Sequence, residues 1–170
     1  MATTFYAAAV IAIIATALAI TQKNVVHGLL YLIVSLLAVA LIFFVVGAPF
    51  VAALEVIIYA GAIMVLFVFA VMLLNLGPQT VEQERRWLTP RTWVGPLALT
   101  IALLAELIYA LASRGPATTG PVVDPLQIGT ELFGRYAIAV ELASMLLLAG
   151  LIGAYHLGRR PIEGGDRWQR

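Results

Sequence analysis

One run, Phe50 to Leu76, is apolar along almost its whole length yet carries a carboxylate, Glu55, near its start. This run constrains the chain more than any other feature. It spans about 27 residues. As an ideal helix it would measure roughly 40 Å, against a hydrocarbon core of about 30 Å. Such a helix must tilt, protrude or depart locally from regular geometry. Tyr59 follows Glu55 by four residues, so on a helix the two share a face. The small residues Ala60, Gly61 and Ala62 come directly after. A glycine between small residues, next to an acid, marks the expected place of the irregularity.

Four further apolar runs accompany it, at about Thr4–Thr21, Val25–Val46, Trp93–Ala112 and Tyr136–Leu157. Each is near or above the ~20 residues a helix needs to cross a bilayer. None shows strand-like alternation, and in lipid only helices or a closed barrel satisfy the backbone. Hydrophobic residues make up 62% of the 170 and charged residues 11%, far from the roughly 25% charged of a soluble chain. The fold class read here is an all-α integral membrane protein: one membrane domain of five transmembrane helices with a basic tail, 158–170. The first run has no Lys or Arg between Met1 and Tyr6 and reaches Lys23 on its far side. It therefore reads as a span rather than a cleaved leader.

Charge orients the spans. Lys23, Arg85, Arg86, Arg91, Arg159, Arg160, Arg167 and Arg170 fall on one side, and only Arg114 and Arg135 on the other. This places the N-terminus outside and the C-terminus in the cytoplasm. Trp87 and Trp93 flank the cytoplasmic start of the fourth span, where interfacial aromatics are expected. The stretch Ser113–Arg135, rich in Gly and Pro, reads as a loop. No internal repeat of the kind found in inverted-repeat transporters is visible. A net charge of +1 gives nucleic-acid binding no support.

Three acids lie within spans: Glu55, Glu106 and Glu141. An acid at a helix centre costs on the order of 2.5–3.5 kcal/mol on insertion scales. In the deduced topology all three sit in the outer half of the membrane. Two readings of each stay open: a hydrated or proton-carrying locus, or an acid that reaches surface water or pairs with Arg114 or Arg135. For Tyr59 the alternatives are a role beside Glu55, or a buried phenol that packs or bonds to that acid. Met64, Phe67, Phe69 and Met72 fit packing as well as any site. His27, Tyr31 and Ser35, at i, i+4 and i+8, form a polar stripe that lipid does not reward and another helix would. Polar groups on several spans of so short a chain call for partner subunits. With no cysteine, no metal-spaced histidines, no phosphate loop and no nucleophile elbow, catalysis by this chain alone is not expected.

The stretch from Leu54-Glu55-Val56-Ile57-Ile58-Tyr59-Ala60-Gly61-Ala62 to Phe69 resembles the third transmembrane helix of the subunit J family of proton-pumping NADH:quinone oxidoreductase. That enzyme is respiratory complex I, and the family's mitochondrial counterpart is chain 6. Asn24-Val-Val-His27-Gly-Leu-Leu-Tyr31 resembles the family's second span. Asn75-Leu-Gly-Pro78 with Glu82-Gln-Glu-Arg-Arg-Trp87 resembles its cytoplasmic loop. Gly129-Thr-Glu-Leu-Phe-Gly-Arg-Tyr136 and Val140-Glu-Leu-Ala-Ser-Met-Leu-Leu-Leu-Ala-Gly150 resemble its last loop and span. The resemblance covers about residues 22 to 160; Glu106 is not part of the motifs that carry it.

The resemblance implies a core membrane subunit without a redox centre, in the bacterial inner membrane. FMN, iron–sulfur clusters and quinone are then expected elsewhere in the complex. The implied partners are a small three-span subunit, which supplies partner carboxylates, the quinone-site subunit and antiporter-like pumping subunits. The third helix of the family can carry a π-bulge near Tyr59-Ala60-Gly61 whose switching opens or closes a hydrated proton path. On that reading Glu55, Tyr59, Gly61, Met64, Val65 and Phe67 form the proton path and its gate, with Glu141, His27 and Tyr31 as additional candidates. Two alternatives remain open: a subunit of a multi-subunit cation/proton antiporter, and a purely structural helix scaffold.

Overall fold

The computed structural model describes residues 2–22, 24–74, 90–112 and 122–158. Lys23, the polar stretch 77–89, Arg114 and the basic residues after Gly158 lie outside the described residues, as do residues 75–76 at the end of the long apolar run. Within the described residues the chain is helical: α1 (Ala2–Thr21), α2 (Val25–Val46), α3 (Pro49–Leu54), a π-helical segment (Glu55–Ile63), α4 (Met64–Leu74), α5 (Pro90–Ala112), α6 (Pro125–Phe133) and α7 (Ala137–Gly158). Five helical stretches are long and apolar enough to cross a membrane: Ala2–Thr21, Val25–Val46, Pro49–Leu73, Trp93–Ala112 and Ala137–Gly158. They match the five apolar runs, as an all-helical integral membrane protein requires. The contacts divide the chain into two units, Met1–Asp124 and Pro125–Arg170.

In the first unit α1 and α2 form a tight antiparallel pair. Ala8, Ala12 and Ala15 of α1 and Ala38 of α2 are buried together with Ile11, Val34, Leu41 and Val45. Between apolar helices in lipid there is no hydrophobic drive, so small residues that let backbones approach hold the seam. Gly28 shows how close that approach is: a Cβ there would lie 3.0 Å from the Ala19 carbonyl oxygen. A polar clasp fixes the register. Ser35 Oγ donates to the Ala12 carbonyl at 3.2 Å, and lies 2.7 Å from Thr16 Oγ1.

The ends of α2 follow local rules. Asn24 has extended backbone, and its Oδ1 accepts from the amides of Val26 (2.9 Å) and His27 (3.5 Å), the usual N-cap bonding of otherwise orphaned donors. At the far end Gly47 takes the left-handed conformation (φ 97°). Its amide reaches the Phe44 carbonyl at 3.2 Å, and the Ala48 amide reaches that of Phe43 at 2.9 Å. This is a Schellman ending, which needs a residue free of the Cβ penalty. Pro49 then opens α3 at its first turn, where the missing N–H costs nothing.

The fourth span, α5, packs against both α1 and α2. Tyr31, buried on α2, presses its hydroxyl against Gly95, where any Cβ would overlap it. The polar stripe of α2 thus meets α1 through Ser35 and α5 through Tyr31.

The second unit holds α6 and α7, which touch each other. Here the structure corrects the expectation of a loop over Ser113–Arg135, because part of that stretch is the nine-residue helix α6. The physical reason is at its start: Asp124-Pro125 favours helix initiation, since proline at the first helical position loses no bond and presets the backbone angle. The Tyr136 amide bonds the Glu131 carbonyl at 2.9 Å, and a Cβ on Gly134 would lie 2.6 Å from the Thr130 carbonyl. Glycine is therefore required where α6 turns into α7.

Gly95→Ala is expected to lower the thermal stability of the assembled protein by about 1–3 kcal/mol, the usual cost of overpacking. Adding Tyr31→Phe, which removes the clashing hydroxyl, should recover part of it, as thermal inactivation of both variants would show.

Candidate functional site

The site centres on the third span, where the helix changes type twice. From Glu55 to Ile63 the backbone is π-helical. At its exit the Met64 amide points to the Tyr59 carbonyl, five residues back. Such segments are rare and concentrate at functional positions. Its composition allows it: Gly61 is the one residue in it without a Cβ, and a Cβ there would lie 3.1 Å from the Val56 carbonyl oxygen. That is tight enough to make any larger side chain push against the π-helical turn. The expected irregularity beside Gly61 is thus present, and it begins at the acid itself.

Glu55 is the first residue of the segment and is half-buried; Tyr59 is 51% exposed. Among the described residues no hydrogen bond joins them, so the alternative in which the phenol is bonded to this acid is not the arrangement seen. Past the segment one buried residue is followed by a run of exposed ones. Met64 is 2% exposed, whereas Val65 is 66% and Phe67 52% exposed. Met64 is therefore the side chain that seats α4 in the first unit, and Val65 and Phe67 point away from it. Beside the segment, α2, α3 and α5 enclose an apolar cleft of about 390 Å³, bounded by Phe44, Ala52, Val56, Thr100 and Leu103 among others. Val56 belongs to both the cleft and the π-helical segment.

The remaining candidate residues lie elsewhere. Glu106 lines a different groove, between α1 and α5, with Thr3, Tyr6 and Val10. The start of α1 and the later part of α5 therefore stand at one level, as alternating spans require. His27 and Tyr31 are buried on α2. Glu141 is exposed on α7, in the second unit. Among the described residues no three His, Asp or Glu side chains cluster in a way that could hold a metal. Sequence reasoning missed the Val56 carbonyl and Gly95. The Gly95-Pro96 pair inside an apolar run was the available signal for close approach at Gly95.

An all-helical chain of five long apolar helices, with a π-helical turn starting on an intramembrane acid, defines an integral membrane protein with one locally irregular span. Comparison with known proteins then gives the family. Residues 15–157 match the family described as NADH-ubiquinone/plastoquinone oxidoreductase chain 6, and the chain belongs to it. It is 60% identical over 159 residues to NADH-quinone oxidoreductase subunit J of Pseudomonas aeruginosa, covering 92% of this chain and 95% of that protein. It is 53% identical over 161 residues to the subunit J of Escherichia coli strain K12 (94% and 88%), and 47% over 156 residues to that of Buchnera aphidicola from Schizaphis graminum (91% and 96%). The resemblance carried by the third span holds along nearly the whole chain.

Met64→Ala should destabilise the assembled protein by about 2–5 kcal/mol, the range for emptying a buried methionine site. Met64→Leu should cost under about 1.5 kcal/mol. Thermal denaturation of the two variants would separate a packing anchor from a merely lipid-facing residue.

Proposed function

We propose that this chain is a core membrane subunit of a bacterial proton-translocating NADH:quinone oxidoreductase. In this reading its third span couples quinone reduction to proton movement by changing helical register. The observation that carries the proposal is the π-helical segment Glu55–Ile63, bounded on one side by an acid and relaxed on the other by Gly61. A π-helical turn holds extra residues relative to an α-helical one. Removing one residue of that excess rotates everything downstream by about 100°. A neighbour would then take the seat of Met64, and Val65 and Phe67 would swing to new faces. Every backbone hydrogen bond can re-form one residue away, so the two registers differ little in bonding, as a switch requires. The apolar cleft beside Val56 supplies room for the change.

In one register Glu55 and Tyr59 border a hydrated path; in the other, bulky apolar side chains close it. Glu141, His27 and Tyr31 are additional candidates for the path. One acid per span is not a relay, since proton transfer needs groups within hydrogen-bond reach or one water apart. The further carboxylates would come from the neighbouring small three-span subunit, with the quinone-site and antiporter-like subunits on either side. The chain would carry no redox group of its own, with FMN, iron–sulfur clusters and quinone in other subunits. It would lie in the inner membrane, N-terminus outside and C-terminus in the cytoplasm, as its distribution of positive charge indicates. The names of the similar proteins favour this reading over the antiporter module.

Gly61→Val tests the switch. The added side chain crowds the Val56 carbonyl, 3.1 Å from where its Cβ would lie, and so disfavours the π-helical register. The expected outcome is a complex that assembles and oxidises NADH with an artificial acceptor, but loses quinone-linked proton pumping in proteoliposomes. Normal pumping by the variant would remove the switch. A loss of activity strictly proportional to lost assembly would favour the structural scaffold.

A further inference from the structure

His27 lies in the first turn of α2 and is only 3% exposed. Its Nε2 is fully enclosed and has no hydrogen-bonding partner among the described residues. A buried imidazole nitrogen cannot remain so cheaply, because both ring nitrogens are hydrogen-bonding groups in either tautomer. The surroundings are also unusual. Tyr31 and Ser35 follow at i+4 and i+8, both buried, and Ser35 meets Thr16 of α1 at 2.7 Å. Polar side chains thus run in one column along the face of α2 that meets α1 and α5. The Ser35 end of the column is satisfied by its clasp; the His27 end is not. Residues four apart on a helix hold their Cβ atoms about 5–6 Å apart. The imidazole and the phenol therefore rise from the same side of α2, one turn apart.

We infer that His27 Nε2 anchors an internal water molecule on the buried face of α2, and that this water joins the imidazole to the Tyr31 hydroxyl. Gly95 belongs to the same device, since it leaves the space in α5 that the Tyr31 hydroxyl occupies. Buried waters characteristically satisfy such groups with two to four bonds. This site is built on α2 rather than on the π-helical segment and does not rest on the register switch; it stands or falls whatever Gly61→Val does.

The test is a cryo-electron microscopy map of the intact membrane complex in lipid nanodiscs, sharp enough to show waters elsewhere in the membrane region. Wild type, Tyr31→Phe and His27→Leu would be compared. The wild-type map is expected to show a water within about 2.6–3.2 Å of Nε2. His27→Leu should lose it, and Tyr31→Phe should lose or displace it. If His27→Leu does not assemble, the wild-type and Tyr31→Phe maps decide. An empty space at Nε2 overturns the inference. So does a side chain of a neighbouring subunit bonded there. A water that stays in place in Tyr31→Phe overturns the bridge.

Discussion

Inside a bilayer no water is present to bond an open N–H or C=O, and each unsatisfied group costs several kcal/mol. This one constraint shapes the whole chain. It forces the five apolar runs into helices. It explains why α2 is closed at both ends by bonded caps, Asn24 at one and the Gly47 Schellman ending at the other. It also limits how a membrane helix can be irregular. A kink that breaks bonds is expensive there, whereas a π-helical turn keeps its amides bonded by reaching one residue further back. The Glu55–Ile63 segment is irregularity of the permitted kind.

The helix seams follow from a second consequence of the same solvent. With lipid as apolar as leucine, what holds helices together is close approach and polar contact. The α1–α2 pair has both, in its buried alanines, in Gly28 against Ala19 and in the Ser35–Thr16 clasp. Gly95 gives α5 the same intimacy with Tyr31. By contrast, among the described residues of the third span beyond Glu55, Met64 is the one fully buried side chain, with Val65, Leu66, Phe67 and Phe69 all exposed in the chain by itself. A segment anchored through one seat is easier to re-register than one locked along its length. In the proposed complex those exposed faces are where lipid and partner subunits would bear on it.

Much of this is legible in the amino-acid sequence. The spans are, because ~20 apolar residues in a row have few other fates. The irregular third span is as well, because its apolar run is too long and Gly61 lies between small residues close to an acid. Other features are hidden for physical reasons. α6 is concealed because Pro125 and Gly134 suggest a loop by composition, when each occupies a helix-terminal position. The contrast between Met64 and Val65 leaves no trace, because a helix apolar on every side has no periodicity to reveal its packed face. The Gly95–Tyr31 contact joins residues remote in sequence, so only folding brings it into view.

If α4 changes register with quinone turnover, the chain's lack of cysteine makes the change directly measurable. Single cysteines would be introduced at Ala53, Val65 and Phe67 in the intact complex. Their alkylation would be followed by peptide mass spectrometry, first with the quinone site inhibited and then during NADH oxidation. A register switch predicts that reactivity at positions 65 and 67 changes between the two conditions while that at position 53, upstream of the π-helical segment, does not. Identical reactivity at 65 and 67 in both conditions would contradict it.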